Sequence, residues 1–293
     1  MASLKDIKRH IRAVKQTQKL TKAMNMVAAA KLRATQGRTE NFRAYAEEHH
    51  RLMEAIGRQS QDLDHPIMRL NENAGRVKIL AISSDRGLCG SFNTNLSQLL
   101  DRKIMAWRGA GQEVSLFLVG RRLREYYSRR KVEISHAMTG VLGSFDYPLA
   151  QEIAETLTSE FLEGQIREVW ILTTKFWGLA RQEPTLIPLL PLIHEIGEEC
   201  PVKSAGYGYL VEPDPATLFS RLIPRSLAIT VFQSLLESVT SENAARMQAM
   251  DNASKNCKEI TESLTMVYNK LRQAAVTNEL LDIVNGSEAL AAA

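Results

Sequence analysis

Leu4, Ile7, Ile11 and Val14 open the chain at spacings of three and four, which places them in one stripe along one face of a helix. Ser3 stands where an N-cap belongs. Polar Thr17, Gln18 and Thr21 then interrupt, and an apolar row resumes with Leu20, Met24 and Val27. That slip in phase predicts a seam other than a uniform coiled coil. Ala28, Ala29 and Ala30 follow, favouring helix and close approach of a neighbour, and Gly37 marks a candidate bend. At the far end, residues 225–285 contain neither proline nor glycine. At about 1.5 Å per residue that run makes roughly 90 Å of helix. Globular helices average about 11–12 residues, so this one is expected to project and to need a partner along its length. Met250, Cys257, Leu264 and Leu271 form one rail, repeating every seven residues. The companion rail, Met247, Ser254, Thr261, Tyr268 and Ala275, is mixed and small, so the seam is expected to be looser than a dedicated zipper. The two ends together predict an antiparallel shaft built from one chain.

The middle alternates strand and helix. Val77–Ser83, Val114–Val119 and Glu168–Thr173 are apolar runs bounded by turn residues or charges. Helical stretches are expected at Asn93–Arg108, Arg121–Arg129 and Tyr147–Glu163. Such alternation predicts a small parallel α/β domain. Pro184, Pro188 and Pro191 suggest an edge strand or an extended segment. Residues 195–214 form an expected return loop, with Asp214 and Pro215 starting the final helix and Pro224 kinking it early.

Charge adds a partner to this picture. Residues 1–38 carry ten basic side chains against Asp6 alone, whereas Arg225 to Asn285 carries six basic and seven acidic ones. The basic excess therefore sits on the first helix, open to an acidic protein surface, anionic lipid or nucleic acid, or simply to solvent. No apolar run reaches the ~20 residues of a membrane span. The opening MASLKDIKRH has no signal-peptide core, and its lysine-rich, serine-poor helix continues beyond a cleavable transit length. Cys89, Cys200 and Cys257 have neither metal spacing nor a disulfide framework, which favours a reducing compartment.

Candidate chemistry is sparse. The loop Ser84–Ser91 has too few glycines, wrongly spaced, for a dinucleotide fingerprint, and no phosphate-loop motif occurs. Cys89 near a helix start has no sequence-neighbouring base and reads as structural; Cys257 reads as a packing residue. His49 and His50 point different ways on a helix and do not share a metal. Trp107, Trp170 and Trp177 read as core or loop-packing residues. The basic helix lacks the interleaved aromatics of a nucleic-acid platform. The residues by themselves offer no active site and no cofactor.

Several blocks, in order and spanning nearly the whole chain, resemble the gamma subunit of F-type ATP synthase. Ser3–Arg33 resembles its N-terminal helix, Ser84–Asn95 (SDRGLCGSFNTN) its first α/β loop, and Tyr209–Asp214 with Ser241–Asn252 its later segments. Tyr268–Gly286 (YNKLRQAAVTNELLDIVNG) resembles its C-terminal signature. Asn25 departs from a position where a charged residue is frequent, and VTNELLDIV departs from the more typical ITQELTEIV. The resemblance implies an α/β fold in which a long antiparallel coiled coil of N- and C-terminal helices flanks a central Rossmann-like domain. The implied division is 1–60 for the first coiled-coil helix, 75–208 for the α/β domain, 209–286 for the second helix and 287–293 for a tail.

It also implies a rotor shaft without catalytic, cofactor or metal residues, working with alpha, beta, epsilon and membrane c subunits on the cytoplasmic face of a bacterial plasma membrane. Arg272 and Gln273 match the pair that engages a loop of beta. Tyr209 and Glu212 match foot positions near the c ring. Met24, Val27, Leu264 and Leu271 are expected in the shaft's bearing and seam. The alternatives are a non-rotary basic scaffold for nucleic acid or anionic membrane, and a small α/β enzyme with helical arms.

Overall fold

The computed structural model describes residues 3–59, 65–72, 74–192, 212 and 214–291. They form two compact units, Ala29–Arg246 on one side and Met1–Ala28 with Met247–Ala293 on the other. Two helices contribute to both: α1 (Leu4–Gln59) and α5 (Pro215–Ala291).

The larger unit is built on five strands, β1 (Arg76–Ile82), β2 (Glu113–Val119), β3 (Glu133–Met138), β4 (Glu168–Phe176) and β5 (Gln182–Leu190), in the order β3-β2-β1-β4-β5. The first four are parallel, and β5 returns antiparallel to β4. Helices α2 (Phe92–Gly109), α3 (Arg121–Tyr127) and α4 (Tyr147–Leu162) make the crossovers that parallel pairing requires. Period-two alternation divides the apolar side chains between the faces. Val77, Ile79, Ala81, Leu116 and Leu118 pack under α2 and α3. Leu80, Ile82, Phe117, Val119 and Ile171 pack under α4 and under segments of α1 and α5. Each such side chain, fully buried, contributes about 1.5–3 kcal/mol.

Pro184 and Pro188 lie on the edge strand β5, where a missing N–H removes no interior ladder bond. The other edge, β3, has no counterpart in the sequence reading. Its residues are all half-buried or exposed, so no apolar run announces it.

One expectation about α5 is corrected. Residues 226–244 are almost all buried, with only Thr230 and Gln233 half-exposed, so the α/β core buries this stretch that was expected to project. Small polar residues permit the close approach, and their hydroxyls remain bonded. Ser234 donates to the Thr230 carbonyl one turn back, and Ser241 donates across to the Thr174 carbonyl. On its other side α5 meets α1 through Thr39 with Thr240, Phe42 with Phe232, and Arg225 over Tyr45. Rising numbers on α1 meet falling numbers on α5, which makes the pair antiparallel. Both helices are continuous, α1 through Gly37 and α5 through Pro224 and on past Gly286 to Ala291.

In the smaller unit the start of α1 faces the end of α5. Ser3 caps α1, its Oγ accepting from the Asp6 N–H. Leu4, Ile7, Ile11, Val14, Gln18, Thr21, Asn25 and Ala28 are buried or half-buried, keeping the three–four spacing throughout. The expected slip in phase is therefore absent. Leu20 is 61% exposed and Val27 58%, so both stand off the seam, and the seam place expected for Val27 is corrected. Thr21 and Asn25 hold their places because their polar groups are bonded. Thr21 Oγ1 donates to the Gln18 carbonyl at 3.0 Å, and Asn25 Nδ2 donates across to the Met247 carbonyl at 2.9 Å. On α5 the half-buried positions include Ser254, Cys257, Thr261, Leu264, Tyr268, Leu271 and Ala275, with Met250 buried, as the two rails predict.

Candidate functional site

Open α/β sheets bind ligands beyond the carboxyl ends of their strands, where the strand order reverses. Here that point lies between β1 and β4, and α5 bonds both sides of it, Ser241 to the Thr174 carbonyl of β4 and Arg246 to carbonyls that follow β1. Asp85 Oδ1 accepts from the Arg121 N–H at 3.1 Å and from the Gly140 N–H at 2.8 Å. A side-chain carboxylate thus takes amides that an anionic ligand would use. A Cβ on Gly120 would stand 2.2 Å from the Ser83 carbonyl oxygen, so the backbones touch there. Ser84, Cys89 and Asn93 bond one another beneath the loop. Burial pushes the Cys89 thiol up, the opposite of a nucleophile's tuning.

The loop after β1 is held from above by α5. Arg246 Nη2 lies 2.6 Å from Glu242 Oε1, and 3.2 and 3.3 Å from the carbonyl oxygens of Arg86 and Gly87. Burial raises the Glu242 carboxyl against the pull of Arg246. Leu88, at the loop's crest, has φ +62° and is 63% exposed. Sequence reading passed over this clamp, although Glu242 and Arg246 are spaced i,i+4 as a helical ion pair.

The expected site residues are spread along the molecule. Leu264 and Leu271 lie half-buried on the α5 seam, and Met24 is half-buried beside the α1 seam. Arg272 and Gln273 follow Leu271 onto the exposed face of α5. Glu212 is exposed, and Tyr209 lies outside the described residues, as does Cys200. Beyond Ala275, Val276, Leu280, Leu281, Ile283 and Val284 are all exposed, an apolar helix end the sequence reading left unremarked. Its signal was available: apolar residues continue after the two rails end.

His49 is buried with its Nε2 unbonded, and burial, then Arg225 and His50, hold its pKa below the ordinary value. Trp107 packs on Trp170 at 6.0 Å. Trp177 is exposed at the β4–β5 connection, with Lys175 Nζ 4.7 Å from its ring centre. Among the described residues no group of three or more His, Cys, Asp or Glu side chains is placed to hold a metal. No described helix is long and apolar enough to cross a membrane.

Comparison with known proteins agrees with this geometry. A family model described as ATP synthase matches residues 3–290. The ATP synthase gamma chain of Syntrophobacter fumaroxidans is 41% identical over 291 residues, covering 99% of both chains. That of Syntrophus aciditrophicus is 40% identical over 294 residues, again covering 99% of each. Among solved structures, a central stalk and c-ring structure of the Tetrahymena thermophila mitochondrial ATP synthase matches with TM-score 0.60 and 25% identity, over 80% of this chain and 99% of that one. A chain of the Euglena gracilis mitochondrial enzyme shares the fold with TM-score 0.68 over 98% of this chain and 94% of its own. Two continuous terminal helices, a five-stranded α/β sheet between them in sequence, and relatedness over the full match make this chain a member of the ATP synthase gamma-chain family.

Proposed function

We propose that the chain is the central shaft of a proton-driven rotary ATP synthase. It turns with the membrane c ring inside a hexamer of alpha and beta subunits, with epsilon beside its foot. The exposed apolar end of α5, Val276 to Val284, carries this reading most directly. A family member that exposes such a row on a helix supported only below it needs an apolar sleeve around it. The shaft performs no bond chemistry. Its asymmetry gives each beta site a different free energy as it turns, which is the differential term that coupling requires.

In this reading Arg272 and Gln273 are the catch on beta. Arg272 offers a planar donor fork suited to a carboxylate, and neither side chain is occupied by another described residue. Tyr209 and Glu212 belong to the foot at the c ring. Met24, Leu264 and Leu271 serve the seam, and Val27 serves the bearing from the outer face. The division into 1–60, 75–208, 209–286 and 287–293 follows these duties. The work is done at the cytoplasmic face of a bacterial plasma membrane, peripherally. The basic-scaffold alternative rests on the charge of residues 1–38 alone.

Reconstitution tests the proposal. The chain, combined with alpha, beta, epsilon and a c ring in vesicles, should restore proton pumping driven by ATP. Pumping of equal extent when the chain is left out would overturn it.

A further inference from the structure

We infer that Arg246 is a positioning residue that locks α5 to the loop after β1, so that this helix and the sheet turn as one body. The inference rests on the rotor reading and concerns the larger unit alone.

Apolar packing sets the orientation of a helix through the shape of interdigitated side chains and carries no directional bond of its own. Hydrogen bonds to fixed carbonyls supply direction. Among the described residues, three side-chain ties join α5 to the sheet and its loops. Thr173 Oγ1, on β4, donates to the Ser234 carbonyl at 2.8 Å. Ser241 Oγ donates to the Thr174 carbonyl at 3.0 Å, so both of these ties reach β4. Arg246 alone reaches the segment that follows β1, through two carbonyls. Ties to the ends of two neighbouring strands resist rotation of α5 where ties to one strand would leave a pivot.

Arg246 is also the only charged member of the three, and charge-assisted bonds are about twice as strong as neutral ones. Its own pose is set by Glu242, one turn back, and both side chains are nearly buried, at 13% and 12% exposure. A buried ion pair is a poor means of gaining stability, since an apolar pair of the same volume commonly does as well. Its directional value is the better account. The clamped loop matches that account. It keeps the non-glycine Leu88 at φ +62°, which a slack loop would release. The Arg122 N–H donates to the Ser84 carbonyl at 3.1 Å, so the loop is bonded on a second side as well.

The test uses the full chain and the assembled complex. Glu242→Gln with Arg246→Met removes the clamp without stranding a buried carboxylate, and Arg246→Lys keeps the charge but loses the planar fork. In the double variant, the Arg121 and Arg122 amides, bonded to Asp85 and Ser84 of this loop, should exchange at least tenfold faster. Protons pumped per ATP hydrolysed should fall by half or more, with hydrolysis changed less than twofold. Arg246→Lys should fall between. Unchanged protons per ATP in the double variant, or equal proportional losses of pumping and hydrolysis, would overturn the inference. Failure of the wild-type chain to support any pumping would strike the rotor reading instead.

Discussion

Asp101 shows how single residues hold this fold. It accepts from Tyr126 at 2.7 Å, Tyr127 at 2.8 Å and Arg130 at 2.7 Å, joining α2 to α3 and the turn that follows. Burial raises its pKa, but those three donors outweigh burial and hold the carboxyl below its ordinary 3.8. A depressed carboxyl contributes stability that is present above the ordinary value and lost as pH falls through the lowered one. Asp101→Asn should therefore cost about 1–2 kcal/mol at pH 7, allowing for screening at its partly open edge. The cost should shrink below about pH 4, as urea melts at both pH values would check. His49 carries a depressed pKa of another kind. Its neutral ring is buried while the unfolded ring protonates near the ordinary 6.5. Its contribution is present above that value and lost as pH falls through the lowered one. The melting temperature should drop more between pH 7.5 and 5.5 for the wild type than for His49→Phe; parallel slopes would refute this.

At the scale of elements, continuity of helix governs. Gly37 lies within α1, exposed, and a Cβ there would meet nothing within 4 Å. Gly37→Ala should raise stability by about 0.5–1 kcal/mol, since glycine loses more backbone freedom than alanine on entering a helix. A decrease in the denaturation midpoint would mean that the bend suggested by the sequence exists in solution. The polar middle of the α1 seam shows why hydropathy alone misplaces a stripe. Thr21 and Asn25 occupy seam positions because a local carbonyl and the facing helix satisfy them, while apolar Leu20 and Val27 lie outside. A polar residue in a seam fixes register at some cost in stability, and Asn25 bonded to the Met247 carbonyl fits that description.

At the scale of the whole molecule, a shaft is judged by its assembly. The pair Arg272→Ala and Gln273→Ala removes two exposed side chains from α5 that make no hydrogen bond or ion pair among the described residues, so the isolated subunit should melt within a degree or two of the wild type. Hydrogen bonds to a charged group are worth about 1.5–3 kcal/mol each, enough to favour one rotary dwell over another. ATP turnover or assembly of the complex carrying both substitutions should therefore fall roughly tenfold or more. Normal synthesis and hydrolysis in a fully assembled double variant would remove these residues from the catch.

The alternation of strand and helix, the two long terminal helices and the rails of α5 were legible in the order of residues. Each rests on local periodicity and on the absence of helix breakers, which neighbours in sequence determine. The family was legible too, because blocks such as SDRGLCGSFNTN and YNKLRQAAVTNELL are read one after another. Tertiary structure decided what depends on which surfaces meet. It buried residues 226–244 of α5 in the α/β core, added β3 as an edge without an apolar run, and kept the α1 seam in phase through polar residues. It also aimed Asp85 at the amides that follow β2 and β3 and closed Arg246 over two loop carbonyls. In each case the deciding term is a contact or hydrogen bond between residues far apart in the chain, and local pattern carries no record of it.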